Sequence, residues 1–201
     1  MILESTLRYP APKVLMEISL RTDLEQETRP LYGLVRALKP NTVLELGTRR
    51  GISTRVIAQA LVDNGRTTRF VTLDPDDCSS YLEGVPIAEF QNVSGEDRFA
   101  HDPSHYDFMF VDTDPHSFEQ TKLWLDTWVA QRLNPGGLAV FHDCSRTGVG
   151  RALRLWARAH PAWELDELGS INGLAVLRSP QQEAKDGRDQ SGSKPEPAGS
   201  R

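Results

Sequence analysis

The stretch ELGTRRGIS, from Glu45 to Ser53, decides the fold of this chain. The segment TVLEL that leads into it is short and β-branched, as is typical of a strand, and Ser53 is a good N-cap for the amphipathic run that follows. Glycines let the backbone approach a ligand closely, and the start of a helix offers free N–H groups and the positive end of a dipole. We therefore predict a strand, a ligand-binding turn and a helix, with an anionic or carboxylate-bearing group at the turn.

The same alternation of strand and helix continues along the chain. Helices are predicted over residues 23–38, 54–62, 117–133 and 147–159, and strands over 42–46, 69–73, 87–93, 107–111 and 138–141. The segment Asn134-Pro-Gly-Gly137 predicts a sharp stop before the last of these strands. Two final strands, 163–168 and 174–177, are joined by a turn and predict an antiparallel hairpin. The pattern predicts an α/β fold, a Rossmann-like, doubly wound, mostly parallel seven-stranded sheet with a C-terminal antiparallel hairpin and helices on both faces.

Length and charge limit the classes of function. The 201 residues suit one domain, and a formal net charge of -5 gives no basic footprint for nucleic acid or an anionic membrane. Cys78 and Cys144 lack the spacing of a zinc site or a disulfide framework, so we expect reduced thiols. Charges interrupt every apolar run, which predicts a soluble, cytoplasmic protein without a signal peptide or a membrane span.

Three segments are expected along the chain. Residues 1–23 form a short N-terminal extension, and residues 24–178 form the folded domain. Residues 179–201 hold no aliphatic or aromatic side chain larger than alanine and predict a disordered polar tail. Because the extension is short and the domain has no large insertion, its pocket is either open or completed by a partner subunit, and a homodimer is one hypothesis.

The spacing of the glycines distinguishes between nucleotide sites. Gly47 and Gly51 form GxxxG rather than the GxGxxG of nicotinamide enzymes, and Glu45 stands two residues before the first glycine. Asp74 ends the second predicted strand, where a carboxylate accepts hydrogen bonds from both hydroxyls of a ribose. In the alternative interpretation the glycines only serve a tight turn and Asp74 only caps a loop.

In these segments the chain resembles class I methyltransferases, and among them the metal-dependent small-molecule O-methyltransferases of the catechol type and the antibiotic-tailoring relatives that methylate sugars. The resemblance spans about residues 24–177 and is carried by VLELGTRRGIS (43–53), VTLDPDDC (71–78), VSGED (93–97), DFMFVDTDPHSFE (107–119) and NPGGLAVFHD (134–143). It implies S-adenosylmethionine as cofactor, with its methionine part on the glycine loop, its ribose on Asp74 and its adenine edge at 95–97. The predicted cofactor residues are Glu45, Gly47, Thr48, Gly51, Ser53, Asp74, Gly95, Glu96, Asp97 and Asp112.

Asp112 and Asp143 follow two buried strands and face the same crevice of a parallel sheet. Their hard oxygen atoms suit Mg²⁺, and in the resembling enzymes acids at these two positions are metal ligands. His142 precedes Asp143 and is the third predicted ligand, one that would also suit manganese or iron. In the alternative interpretation both acids are merely cofactor and loop carboxylates.

His116 is the predicted general base, and Asp112 is the other predicted catalytic residue. A neutral imidazole abstracts protons near physiological pH, and His116 lies in the loop after Asp112. The resembling enzymes commonly show Asp-Gly-Asp-His-Ser-Tyr, whereas this chain has one residue more between the first acid and the histidine. Asp114 is the substitute base.

The leading hypothesis is therefore metal-assisted methyl transfer from S-adenosylmethionine to a hydroxyl of a small molecule: a natural product, a sugar or a phenol. A metal-independent methyltransferase acting on nitrogen, carbon or a macromolecule is the second hypothesis, and a non-catalytic Rossmann-like binding module is the third. The expected partner is the small-molecule acceptor, with neither nucleic acid nor membrane. Arg49 and Arg50 either neutralise the cofactor carboxylate or point outward.

Overall fold

The computed structural model describes residues 24, 26–85, 87–145 and 147–181. The predicted N-terminal extension and most of the predicted polar tail lie outside the described residues. Ser179, the first residue of the predicted tail, is buried, and its hydroxyl donates to the carbonyl of Asn134 at 2.6 Å. Among the described residues, no helix is both long and apolar enough to cross a membrane.

Helices and strands alternate as the sequence predicts. The helices are α1 (Thr28–Leu38), α2 (Ile52–Asn64), α3 (Gly95–His101), α4 (Phe118–Trp124), α5 (Ala130–Arg132) and α6 (Thr147–Ala159). A 3-10 turn spans Ser79–Leu82, and a π-helical stretch spans Leu125–Val129. The strands are β1 (Thr42–Leu46), β2 (Arg69–Asp74), β3 (Ala88–Asn92), β4 (Tyr106–Val111), β5 (Leu133–His142), β6 (Glu164–Leu168) and β7 (Leu174–Arg178).

One seven-stranded sheet has the order β3-β2-β1-β4-β5-β7-β6. The first five strands of this order run parallel, while β7 pairs antiparallel with β5 and β6 pairs antiparallel with β7. The chain runs outward from β1 through β2 to β3, then returns to β4 on the other side of β1. This reversal opens a crevice at the carboxyl ends of β1 and β4, where ligands bind in sheets of this kind.

Alternating side chains of each strand divide the core into two layers. Leu44 and Leu46 of β1 pack on the side of α4 and α6, whereas Val43 packs on the side of α1 and α2. In β5, Ala139 and Phe141 face the first layer, and Leu138 and Val140 face the second. Helices therefore cover both faces of the sheet, as expected for buried parallel strands.

Three local predictions are wrong in detail. Helix α1 begins at Thr28 rather than at residue 23, which lies outside the described residues. Gly51, in a left-handed conformation with φ of 68°, is the N-cap of α2 instead of Ser53, which lies inside the helix. The predicted stop at Asn134 lies within β5, which already pairs at Leu133 with Tyr106 and shows a register shift before the next pair.

The predicted helix over 117–133 is likewise not one uniform helix. It consists of α4, the π-helical stretch and α5, and it ends at Arg132 because Leu133 already belongs to β5. Ser117 caps its start as its sequence position suggests, since its hydroxyl accepts a hydrogen bond from the N–H of Gln120 at 3.1 Å.

Candidate functional site

The glycine loop between β1 and α2 passes directly over the end of β4. Gly47 has a φ of 95°, and a Cβ atom there would lie 2.0 Å from the carbonyl oxygen of Asp112. A Cβ atom on Gly51 would lie 2.7 Å from the side chain of Leu82. Glycine is therefore required at Gly47 both by the backbone conformation and by the close approach of another strand.

Glu45 lies beneath this loop and is fully buried. Its carboxylate accepts hydrogen bonds from the hydroxyls of Ser53 at 2.5 Å, Thr54 at 2.6 Å and Thr72 at 2.6 Å. Burial raises the pKa of Glu45 to about 7, although the three hydrogen bonds act in the opposite direction. Glu45 and Ser53 thus connect the loop and α2 to the sheet from behind, instead of lining the cavity in front of the loop.

Asp74 fixes the front of the glycine loop to β2. One carboxylate oxygen accepts the backbone N–H groups of Thr48 at 3.0 Å and Arg49 at 2.9 Å, and the other accepts that of Asp76 at 2.9 Å. The side chain of Thr48 is buried and hydrogen-bonds that of Thr72 at 2.6 Å. Asp74 therefore shapes the loop, and it also lines the cavity in front of it.

A cavity of about 410 Å³ opens at the carboxyl ends of β1, β2 and β4. This volume lies within the range of about 300–1,000 Å³ that is usual for small-molecule sites. Of the predicted cofactor residues, the cavity brings together Gly47, Asp74, Gly95, Glu96 and Asp112. Its other lining residues are Leu46, Arg49, Arg50, Leu73, Pro75, Asp76, Asp77, Cys78, Tyr81, Ser94, Thr113, Asp114, Gln120 and Trp124.

The start of α3 forms one wall of the cavity. A Cβ atom on Gly95 would lie 2.8 Å from the indole of Trp124, so the helix approaches this ring closely. The Trp124 indole N–H donates to the hydroxyl of Thr113 at 2.9 Å. Asp97, the third predicted residue here, instead pairs with the N-cap Ser94, whose hydroxyl donates to its carboxylate at 2.8 Å. Asp97 is not among the lining residues.

A cluster of acids and histidines adjoins this cavity through Asp112. One ligand atom from each of Asp112, His142 and Asp143 lies within 4.8 Å of the others. The Nε2 atom of His116 lies 2.9 Å from a carboxylate oxygen of Asp143 and 3.3 Å from one of Asp112, and its Nδ1 atom lies 3.1 Å from Asp114. The extra residue before His116 therefore leaves its ring in contact with both acids.

Charges within this cluster act strongly on one another. Burial favours the neutral form of Asp112, but the hydrogen bonds and charges of His116 and His142 outweigh it and hold the pKa of this carboxyl well below its usual range. The hydrogen bond to Asp112 raises the pKa of His116, against the effect of burial and with the help of Asp143 and Asp114. The acids of the cluster therefore favour the protonated form of the His116 ring.

The backbone is held in an uncommon conformation at two of these residues. His116 has a φ of 55° and Asp143 a φ of 57°, and a residue other than glycine rarely adopts a positive φ. Strain of this kind collects at functional sites, where the surrounding structure has to hold it. Its presence at two residues that contact each other supports a functional interpretation of the cluster.

Sequence reasoning missed Glu27, which is buried in the turn before α1 and whose carboxylate oxygens have no hydrogen-bond partner among the described residues. The only sequence signal for Glu27 is its position directly before the start of α1. The two cysteines are free and buried, and burial raises the pKa of each thiol to about 11. Neither thiol is therefore a nucleophile near neutral pH.

Comparison with known proteins agrees with this geometry. Residues 44–144 match the family described as a methyltransferase domain. No curated protein matches the sequence.

Among solved structures, the fold is similar to that of an O-methyltransferase from Bacillus cereus in complex with SAH, at a TM-score of 0.69 and 18% identity, covering 86% of this chain and 93% of that one. It is also similar to the O-methyltransferase TomG from Streptomyces achromogenes, involved in tomaymycin synthesis and in complex with SAM. That match has a TM-score of 0.65 and 16% identity, and it covers 88% of this chain and 93% of that one. A methyltransferase from Geobacter sulfurreducens matches at a TM-score of 0.65 and 19% identity, covering 87% of this chain and 92% of that one.

Proposed function

This chain belongs to the methyltransferase domain family, and on that premise we propose that it transfers a methyl group from S-adenosylmethionine to a hydroxyl of a small molecule. One observation carries the proposal. Asp112 lines the cavity beside the glycine loop and also belongs to the acid–histidine cluster. A cofactor in the cavity would thus present its methyl group beside groups that bind and deprotonate an acceptor.

We assign the parts of the cofactor to the walls of the cavity. The amino-acid end of S-adenosylmethionine belongs at Gly47, where the backbone of the glycine loop lines the cavity before it leads into α2. The ribose hydroxyls belong at Asp74, and the adenine belongs between the start of α3 and the side of β2. Arg49 and Arg50 line the same cavity, which supports the hypothesis that they offset the cofactor carboxylate.

The acid–histidine cluster fits a divalent cation by its donor set. Two carboxylates and one imidazole converge within 4.8 Å, a ligand set for Mg²⁺ that the imidazole extends to Mn²⁺ or Fe²⁺. Asp112, His142 and Asp143 would hold the ion. When bound, such an ion would polarise the acceptor oxygen and lower the pKa of its hydroxyl.

His116 is the proposed general base. Its ring lies at the junction of the cluster and the loop that lines the cavity, and Asp114 beside its Nδ1 atom orients it. The neighbouring carboxylates, Asp112 first, raise its pKa, which makes the neutral ring a stronger base towards the acceptor hydroxyl. Catalysis otherwise consists of aligning the acceptor oxygen with the methyl carbon and the sulfur.

A second candidate is a methyltransferase without a metal. The His116 ring contacts both acids of the cluster, so a protonated imidazole would balance their charge without a cation. Such an enzyme would act on nitrogen, carbon or a macromolecule.

An assay of methyl transfer to a panel of phenols and sugars tests the proposal, with the S-adenosylhomocysteine that is released as the measured product. We expect Asp143→Asn to lose turnover while it keeps its affinity for S-adenosylhomocysteine, and a chelator to abolish turnover of the wild type. Full activity in metal-free buffer would contradict the metal-assisted reaction and support the second candidate. Failure of the folded chain to bind any adenosyl cofactor would leave a non-catalytic binding module.

A further inference from the structure

Glu27 is a buried acid in the turn that precedes α1, with 1% of its surface exposed. Among the residues that the structure describes, neither of its carboxylate oxygens has a hydrogen-bond donor. Its backbone is ordinary, since its N–H donates to the carbonyl of Leu24 at 3.0 Å. A buried carboxylate that lacks hydrogen bonds is strongly destabilising, so a donor for it is expected nearby.

His142 offers the matching donor. The ring is buried, with its Nδ1 atom 3.3 Å from a carboxylate oxygen of Asp112 and 3.5 Å from one of Asp143. Its Nε2 atom is buried and has no hydrogen-bond partner in the described part of the chain. One ring nitrogen thus faces the acids of the cluster, and the other points away from them.

The sheet places both residues on one side. His142 ends β5 and alternates with Leu138 and Val140, which pack in the layer beneath α1 and α2. Leu24 and Leu31, which flank Glu27, belong to that same layer. Both side chains therefore lie on the α1 side of the sheet, at the end where β5 stops and α1 starts.

Two further contacts hold the turn before α1 at this end of the sheet. The side-chain oxygen of Gln26 accepts the N–H of Ile171 at 3.4 Å, in the loop that leads to β7. Leu174, the first residue of β7, pairs directly with His142.

We propose that Glu27 is a positioning residue whose carboxylate accepts the Nε2–H of His142 through one buried water, and so keeps the proton on Nε2 while Nδ1 faces Asp112 and Asp143. A ring nitrogen binds a cation only through its lone pair, so the proton has to reside on the other nitrogen. Histidine ligands of metals almost always donate that other N–H to a carboxylate or a carbonyl, which fixes the ring.

This inference rests on the proposed function, since it gives His142 its purpose in the cation site. The state of the ring is nevertheless measurable without a metal. In the metal-free, full-length chain labelled with ¹⁵N, the ring nitrogen shifts in alkaline buffer report which nitrogen carries the proton. We expect Nε2–H in the wild type and in Glu27→Gln, which keeps an acceptor. We expect Nδ1–H, donated to Asp112, in Glu27→Met.

Mn²⁺ binding to the full chain, measured by calorimetry, gives the second readout. We expect Glu27→Met to bind Mn²⁺ about 10–100-fold more weakly than the wild type, as is typical when such an outer carboxylate is lost. Glu89→Met, the same substitution at an exposed acid of the edge strand β3, is the matched control and should bind as the wild type does. Affinity for S-adenosylhomocysteine should not change in either variant.

An unchanged tautomer in Glu27→Met, or Nδ1–H in the wild type, would overturn the role of Glu27. The wild-type spectrum decides this even if Glu27→Met does not fold. Absence of Mn²⁺ binding in the wild type would instead contradict the metal site of the proposed function, while the tautomer would still decide the role of Glu27.

Discussion

Replacing Glu45 by glutamine should change how stability depends on pH. In the folded chain burial raises the pKa of this carboxyl from 4.5 to about 7, so the folded state binds the proton more tightly than the unfolded chain does. Stability from this proton is fully present below pH 4.5 and is lost as the pH rises through about 7. Glutamine keeps the size of the side chain and cannot ionise.

The magnitude follows from the shift. Each pKa unit corresponds to about 1.4 kcal/mol, so the raised pKa makes the wild type lose up to about 3 kcal/mol of unfolding free energy between acid and alkaline buffer. Other titrating groups are common to both proteins. The difference between wild type and Glu45→Gln therefore isolates this one carboxyl, whatever constant offset the substitution adds.

Urea unfolding at a series of pH values between about 5 and 8 measures this difference. We expect the stability of the wild type to fall relative to that of Glu45→Gln by about 2–3 kcal/mol across this range. Thr72→Val removes one hydrogen bond that lowers the pKa of Glu45, so it should move the loss to higher pH. Parallel curves for wild type and Glu45→Gln would refute the reasoning.

Three further predictions concern the loop, the cofactor and the base. Gly47→Ala should lower the unfolding free energy by more than about 2 kcal/mol, whereas Gly65→Ala, with a φ of 62° and open space around it, should lose only about 1 kcal/mol in the same urea titration. Asp74→Asn should weaken binding of S-adenosylhomocysteine at least about tenfold by calorimetry, because the carboxylate that accepts the loop N–H groups loses its charge; equal affinity would contradict its role. His116→Gln should slow methyl transfer about 10²–10⁴-fold with unchanged cofactor affinity, and an undiminished rate would remove it as base.

Sheet architecture was predictable because its signals are local. The strand over Thr42–Leu46 is predicted to the residue, since a β-branched run stands between a proline and a glycine loop. The order of the alternating strands and helices, and the final hairpin, then follow from the same patterns.

Boundaries failed where tertiary contacts overrode a local preference. The hydroxyl of Ser53 could cap a helix, but the buried carboxylate of Glu45 claims it, and Gly51 takes the capping position. Asn134 precedes Pro-Gly-Gly and suggests a loop, yet pairing with β4 extends the chain from Leu133 onward.

The candidate site was predictable where it depends on strand ends and not where it depends on loop conformation. Asp112 and Asp143 could be predicted to converge because both follow parallel strands that end at one edge. That His116 contacts both acids depends on a loop conformation with positive φ, which no motif reports. Glu27 stands in no motif. Its proposed role follows only from the fold, which places His142 and the start of α1 on the same side of the sheet.

Calorimetric titration of S-adenosylhomocysteine into the purified chain tests the central claim most directly. We expect saturable binding near one molecule per chain, and weaker binding in Asp74→Asn. A chain that is folded by circular dichroism and binds no adenosyl cofactor would contradict it.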